Sequence, residues 1–217
     1  MAWDTAGTKR KILEAARSEF AKAGPDGTTI ERIAKLAGVN KERVYNYFGG
    51  KPQLFARVLR DELATAAHDV PLDTTDAADL GDYAGRLYDY HRQHPELVRL
   101  LQWEALTFDG EVPEEERRRE YYRSKTAAYA AAQVDGTITA RVAPDLLYFS
   151  LLSLAAYWAA LPQVARMITG ASADDPDEDA RRRAAVVHAA QRLAAATDER
   201  PAEAQALAAE PAPSGMT

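Results

Sequence analysis

An all-α fold is predicted for this 217-residue chain by three observations. Alanine, the strongest helix former, supplies 44 of its residues. Glycine is sparse, at 12, and no alternating apolar run reads as a strand. Apolar residues recur instead at helical spacing, beginning with Ile12, Leu13, Ala16 and Phe20. The length allows one large domain or two small ones with a sizeable core. The lack of cysteine excludes disulfides, thiolate metal sites and cysteine nucleophiles, and it suits a reducing cytoplasm.

Each element follows from local signals. Thr8 is placed to cap a first helix running to about Ala23, closed by the turn Gly24-Pro25-Asp26-Gly27. Thr29 caps a short second helix whose Ile30, Ile33, Ala34 and Ala37 share one face. Gly38 breaks it, and Asn40 caps a third helix with Val44 and Phe48 inward. Gly49-Gly50 ends that helix, and Pro52, tolerated in a first helical turn, opens a long fourth helix to about His68. After a linker at 71–75, helices are predicted over about 76–93, from Pro95 to about Thr107, and from about Glu114 to Gln133. The most apolar helix opens at Ala143-Pro144-Asp145 and ends near Pro162. A partly helical stretch to Thr169, an acidic loop at 174–178 and a last helix from about Asp179 to Ala196 follow. The tail, rich in Ala, Pro and Glu, is expected to be mobile. No leader pattern opens the chain. The longest apolar stretch, Leu146 to Leu161, is 16 residues, short of the roughly 20 that span a bilayer, so no membrane partner is expected.

Charge divides the chain. The total of 27 − 33 = −6 is the sum of two unlike parts. Residues 1–51 hold ten Lys/Arg against six Asp/Glu, or +4, and the remainder is 17 − 27 = −10. A basic end on an acidic chain points to nucleic acid. The predicted organisation is a DNA-binding domain over 1–51, a helical body over 52–197 and a tail over 198–217.

From Thr28 to Phe48 the sequence reads helix, glycine-containing turn, helix, the arrangement that places a second helix in the major groove. Ile33, Ala34, Val39, Val44 and Phe48 form an apolar wedge fixing the crossing of the two helices. With Val44 and Phe48 inward, Glu42 and Asn46 point outward, flanked by Lys41, Arg43 and Tyr45. That set can read bases: Arg or Lys suits guanine, Asn adenine and Glu the cytosine amine. Thr29, Tyr47 and Lys51 lie at or beside helix N-termini, where phosphates would pass. A structural helical hairpin with a solvated charged face is the plainer alternative.

The residues 8–55 carry a dense resemblance to a known family. Thr8-Lys9-Arg10-Lys11-Ile12-Leu13-Glu14-Ala15-Ala16, Phe20, Gly24, Thr28 to Ala34, Ala37 to Asn40, Val44 to Phe48 and Lys51 together resemble the DNA-binding domain of the tetracycline-repressor (TetR) family. The resemblance implies an all-helical homodimer with three N-terminal helices on DNA and a C-terminal domain holding an effector and the dimer interface. The family's usual DNA-contact positions fall here on Thr29, Lys41, Glu42, Arg43, Tyr45, Asn46, Tyr47 and Lys51. Glu31 departs from the pattern, standing where a basic or neutral contact residue is common.

In the C-terminal part, Tyr88, Trp103, Phe108, Tyr122, Tyr129, Phe149 and Tyr157 are candidates for an apolar ligand pocket with hydroxyls to orient its occupant. An ordinary bundle core explains most of them equally well. The stripe Leu147, Leu151, Leu154 and Trp158, with Ala185, Ala189 and Leu193 on the last helix, is the candidate dimer interface. His91 and His94 have a spacing that permits a metal, but lack further ligands nearby, so no metal or other cofactor is predicted. Gly49-Gly50-Lys51 is no phosphate loop, because Tyr45 and Pro52 stand where glycine and Ser/Thr are required. With no nucleophile elbow, six serines and four histidines, a hydrolase has no support. The expected function is a ligand-responsive repressor that binds a pseudo-palindromic operator as a homodimer and releases it on binding a small apolar effector. The alternative is a dimeric DNA- or protein-interaction protein of the same fold without effector control.

Overall fold

The computed structural model describes residues 5–72 and 76–196. Among them are ten helices and no strand. These are α1 (Thr5–Ala23), α2 (Ile30–Ala37), α3 (Lys41–Phe48), α4 (Lys51–Asp69), α5 (Ala77–Gln93), α6 (Pro95–Thr107), α7 (Glu115–Val134), α8 (Pro144–Ala160), α9 (Pro162–Thr169) and α10 (Pro176–Ala194). The predicted tail and part of the linker lie outside the described residues.

Two boundaries differ from the sequence expectation, and one stretch is more regular than expected. Helix α1 is already helical at Thr5, ahead of the predicted cap Thr8. Helix α10 begins at Pro176, because the Asp175 carboxylate accepts the Asp177 N–H and Pro176 suits a first turn. The acidic loop is therefore partly a helical turn, where Asp177, Glu178 and Asp179 complement the helix dipole. The stretch to Thr169 is a complete helix, α9, closed by Gly170 in the left-handed conformation.

The first three helices form a compact head. Thr29 caps α2 by accepting the Arg32 N–H, and Asn40 caps α3 by accepting the Arg43 N–H, each at 3.2 Å. Between them Gly38 adopts φ 68°, with open space where a β-carbon would stand. Its backbone, not crowding, demands glycine. The N–H groups of Gly38 and Val39 close the end of α2 on the Lys35 and Ala34 carbonyls. Ile33, Ala34 and Val44 are buried beneath this turn, and Val39 and Phe48 pack partly against them.

Helix α4 belongs to both halves of the molecule. Its Leu54, Phe55, Val58 and Leu59 are buried, and the Phe55 ring meets Phe20 of α1 edge-on at 5.3 Å. Phe108, just after α6, stacks on the same Phe55 at 6.2 Å. In the body, α5 is sandwiched between α8 and α10. Helix α10 approaches α5 so closely that a β-carbon at Gly81 would stand 2.3 Å from Gln191 Cγ. Leu80, Ala84, Tyr88, Leu147, Leu151 and Ala190 bury almost entirely in this core.

Candidate functional site

The predicted contact residues of the head differ in exposure and in restraint. Lys41, Glu42, Tyr45 and Asn46 are exposed along α3, while Arg43 and Tyr47 are half-buried. The ammonium of Lys9 lies 5.3 Å from the centre of the Tyr47 ring, so α1 supports that side chain. Glu31, the departure from the family pattern, pairs with Lys41 at 3.4 Å. The acid thus pairs with a candidate contact residue from the preceding helix. Its own carboxyl is held below the ordinary range by a backbone hydrogen bond and by Lys41. Lys51 donates to the Thr28 carbonyl at 3.4 Å and lies 3.8 Å from Asp26, tying the start of α4 to the residue before the α2 cap. Thr29 stays exposed while its hydroxyl oxygen caps α2. The outward groups can donate to phosphates and to base edges at one surface.

The body contains a cavity of about 320 Å³ whose wall is mostly apolar. Its floor is the C-terminal half of α4, with Leu63, Ala66 and Ala67, and Val70 at its C-cap. Tyr83, Tyr121, Tyr122 and Tyr148 bring four phenol rings to its sides, and His91 and Arg118 add polar edges. Burial pushes the Tyr83 phenol up to about 12 and raises Tyr121 and Tyr148 as well. These phenols are therefore neutral donors and acceptors at neutral pH. Arg118 donates to Glu104 at 2.6 Å, a largely buried pair joining α7 to α6. At the rim Arg60 of α4 pairs with both oxygens of Glu114, at 3.0 and 2.9 Å. Glu114 is the non-glycine residue with positive φ among those described, at 61°, a conformation this bidentate pair helps to hold.

Most of the candidate pocket aromatics lie away from this cavity. Of the seven candidates only Tyr122 lines this cavity. Tyr129 is buried against Tyr148, with ring centres 5.4 Å apart, as packing behind the wall. Trp103 and Phe108 sit at the joint with the head, against Gly24 and Phe55. Phe149 and Tyr157 point outward, 69% and 62% exposed. Tyr88, almost wholly buried, borders a second, arginine-lined cavity. Sequence reasoning missed Tyr83, Tyr148 and the α4 floor. The spacing of Leu63, Ala66, Ala67 and Val70, one apolar face of a helix, was the available signal.

The candidate dimer stripe of α8 lies partly inside the single chain. Leu147 and Leu151 are completely buried within this single chain, so they cannot meet a partner. Leu154 is half-buried, and Trp158 is half-buried beneath Arg182, whose guanidinium carbon is 5.3 Å from the ring centre. The outward stripe of α8 is Leu146, Phe149, Ser153 and Tyr157. On α10, Ala185 is exposed and Ala189 and Leu193 are half-buried. Of the two histidines weighed as metal ligands, His94 stacks on Tyr90 at 4.3 Å and His91 is buried at the cavity wall. Among the described residues no single helix is long and apolar enough to cross a membrane.

A helix-turn-helix head with a charged outer face, set on a helical body that holds a cavity, defines a DNA-binding regulator. Residues 12–58 match the family described as bacterial regulatory proteins, tetR family, and residues 79–192 match the tetracyclin repressor-like C-terminal domain. The HTH-type transcriptional repressor SCO4008 of Streptomyces coelicolor is 43% identical over 169 residues, covering 77% of this chain and 86% of its own. The HTH-type transcriptional repressor NicS of Pseudomonas putida is 38% identical over 103 residues, 46% of this chain and 49% of its own. Among solved structures, the transcriptional regulator SCO4942 of Streptomyces coelicolor superposes with a TM-score of 0.73 at 31% identity, covering 88% of this chain and 99% of that one. The chain belongs to the TetR family of bacterial transcriptional regulators, and it is a DNA-binding regulator and not an enzyme.

Proposed function

We propose that this regulator is a homodimeric repressor, acting in the cytoplasm, that leaves its operator when a flat, apolar organic effector enters the tyrosine-lined cavity. The observation that carries the reading is the double role of α4. Its C-terminal half floors the cavity, and its first residue, Lys51, is hydrogen-bonded to the head at Thr28. An occupant displacing α4 therefore moves the head. A coupling of about 1–3 kcal/mol changes operator affinity roughly 5- to 150-fold. Repression is supported by the names of the Streptomyces and Pseudomonas relatives.

In the dimer, the exposed stripe of α8 and the small-residue face of α10 meet their copies, placing the two α3 helices about 34–36 Å apart on successive major grooves. Thr29, Lys41, Glu42, Arg43, Tyr45, Asn46, Tyr47 and Lys51 make the DNA contacts. Selection of random duplexes by the purified protein tests the reading. A sharp palindrome, released by a compound that also raises Tm, is expected. Loose, salt-sensitive binding to every sequence would instead indicate an interaction protein without a defined operator. Operator binding indifferent to every cavity ligand would remove effector control.

A further inference from the structure

The geometry points to a second binding site, in the arginine-lined cavity between α5, α6, α8 and α9, for a small aromatic anion bearing a carboxylate or phosphate. This cavity, of about 510 Å³, lies on the other side of His91 from the tyrosine-lined one. Its chemistry is different. Arg92, Arg99, Arg166 and Arg182 all line it, in a part of the chain whose net charge is 17 − 27 = −10.

The charges do not balance within the fold. Arg182, 3% exposed, donates to Glu178, to the Thr169 hydroxyl and to the Ala171 carbonyl, all within 2.8 Å. Arg92 Nε stands 2.9 Å from Asp179, and its terminal nitrogen donates to the Ala173 carbonyl at 2.7 Å. Two carboxylates thus answer two guanidinium groups. Arg99 on α6 and Arg166 on α9 have no partner among the described residues, leaving two positive charges on one concave wall. Such a wall concentrates anions, and the planar guanidinium fork matches the oxygens of a carboxylate or phosphate.

Two further features fit an aromatic anion. The half-buried Trp158 lines the cavity beside Arg182 and gives it one aromatic side chain. In the shared wall His91 is 7% exposed, yet its Nδ1 has no hydrogen-bond partner. A buried polar atom without a partner is costly in a finished fold and inexpensive once a ligand supplies one. Two solvated surface arginines would account for the charge but not for the concavity, the indole or the unpaired imidazole. The site stands independently of the effector reading, since nothing in its argument uses DNA release.

Titration calorimetry of the full chain with phenyl phosphate and with benzoate, at matched ionic strength, tests the assignment. One-to-one saturable binding is expected, and the tighter ligand identifies the head group as phosphate or carboxylate. The double variant R99Q/R166Q should weaken it about tenfold or more, the loss of charged hydrogen bonds. Both positions are exposed, so thermal melts of that variant should match the parent. Lys22→Gln, an exposed charge elsewhere, and Ala67→Phe, inside the tyrosine-lined cavity, should leave the affinity unchanged. The assignment is overturned if neither anion saturates, if the double variant binds like the parent, or if Ala67→Phe alone abolishes binding.

Discussion

Trp103 of α6 lies against Gly24 so closely that a β-carbon at Gly24 would stand 2.6 Å from the indole ring. The indole nitrogen also donates to the Ala21 carbonyl at 3.4 Å, and Gly24 itself has φ 71°. The turn after α1 is thereby clamped to the body at one point. Gly24→Ala meets both a steric overlap and a disfavoured backbone, and should cost about 1–3 kcal/mol in urea titrations. Adding Trp103→Leu should recover part of that loss, because the two residues share one contact. Strict additivity of the two changes would show that the clamp is not the cause.

On the DNA face, Arg43→Ala should weaken operator binding by about 1–3 kcal/mol and relax the preference at one base pair. Tyr45→Phe removes only a hydroxyl and should weaken binding with no change in preference. Anisotropy titrations on the selected operator and its single-base variants separate the two. Equal loss on every sequence for Arg43→Ala would assign that side chain to a phosphate.

Burial, reinforced by the nearby charge of His94, pulls the His91 imidazole from 6.5 down to about 4. The unfolded chain takes up this proton near pH 6.5, whereas the folded chain resists until about pH 4. The folded state is thus fully favoured above that window and loses up to about 3 kcal/mol as pH falls through it. Urea midpoints measured across the window should decline for the parent and decline less for His91→Gln. Parallel declines would place the acid sensitivity elsewhere.

The two stripes of α8 make opposite predictions. Phe149→Glu and Tyr157→Glu alter exposed side chains, so the helical circular dichroism should persist while sedimentation shifts from dimer to monomer. Leu151→Ala removes a wholly buried side chain and should cost about 2–5 kcal/mol in stability. A dimer that survives both glutamates would move the interface to another face.

Glu104→Gln tests the buried pair at the cavity edge. Glu104 and Arg118 keep only 11% and 17% of their side chains exposed, so removing the carboxylate strands a guanidinium. A loss of about 3–5 kcal/mol is expected from denaturant titration, whereas the paired change Glu104→Leu with Arg118→Met should cost much less.

The head was legible in the sequence because its determinants are local. Thr29 and Asn40 cap the helices beginning next to them, and Gly38 meets a backbone requirement that no distant residue sets. The body was legible as helices but not as surfaces. Helix α8 is apolar on nearly every side, so its periodicity could not say which stripe faces inward. Leu147 and Leu151 proved internal, and Phe149 and Tyr157 external. Choosing between those stripes depends on where α5 and α10 lie, a matter of long-range packing. For the same reason an isolated tyrosine such as Tyr83 gave no sign of lining a cavity, whereas its neighbour in space Tyr148 sits 65 residues further along the chain.

Helix α4 is 19 residues of continuous helix, about 28 Å from end to end, with its only proline in the first turn. It can tilt as a rigid rod because nothing along its length invites a bend. A tilt of about 5° at the cavity end carries the far end through about 2.5 Å by leverage alone. On the proposed release mechanism, an effector need not reshape the body to be felt at the operator. It has only to swell the cavity by a fraction of one side chain's width, and the rod's length magnifies that into a misfit of groove spacing.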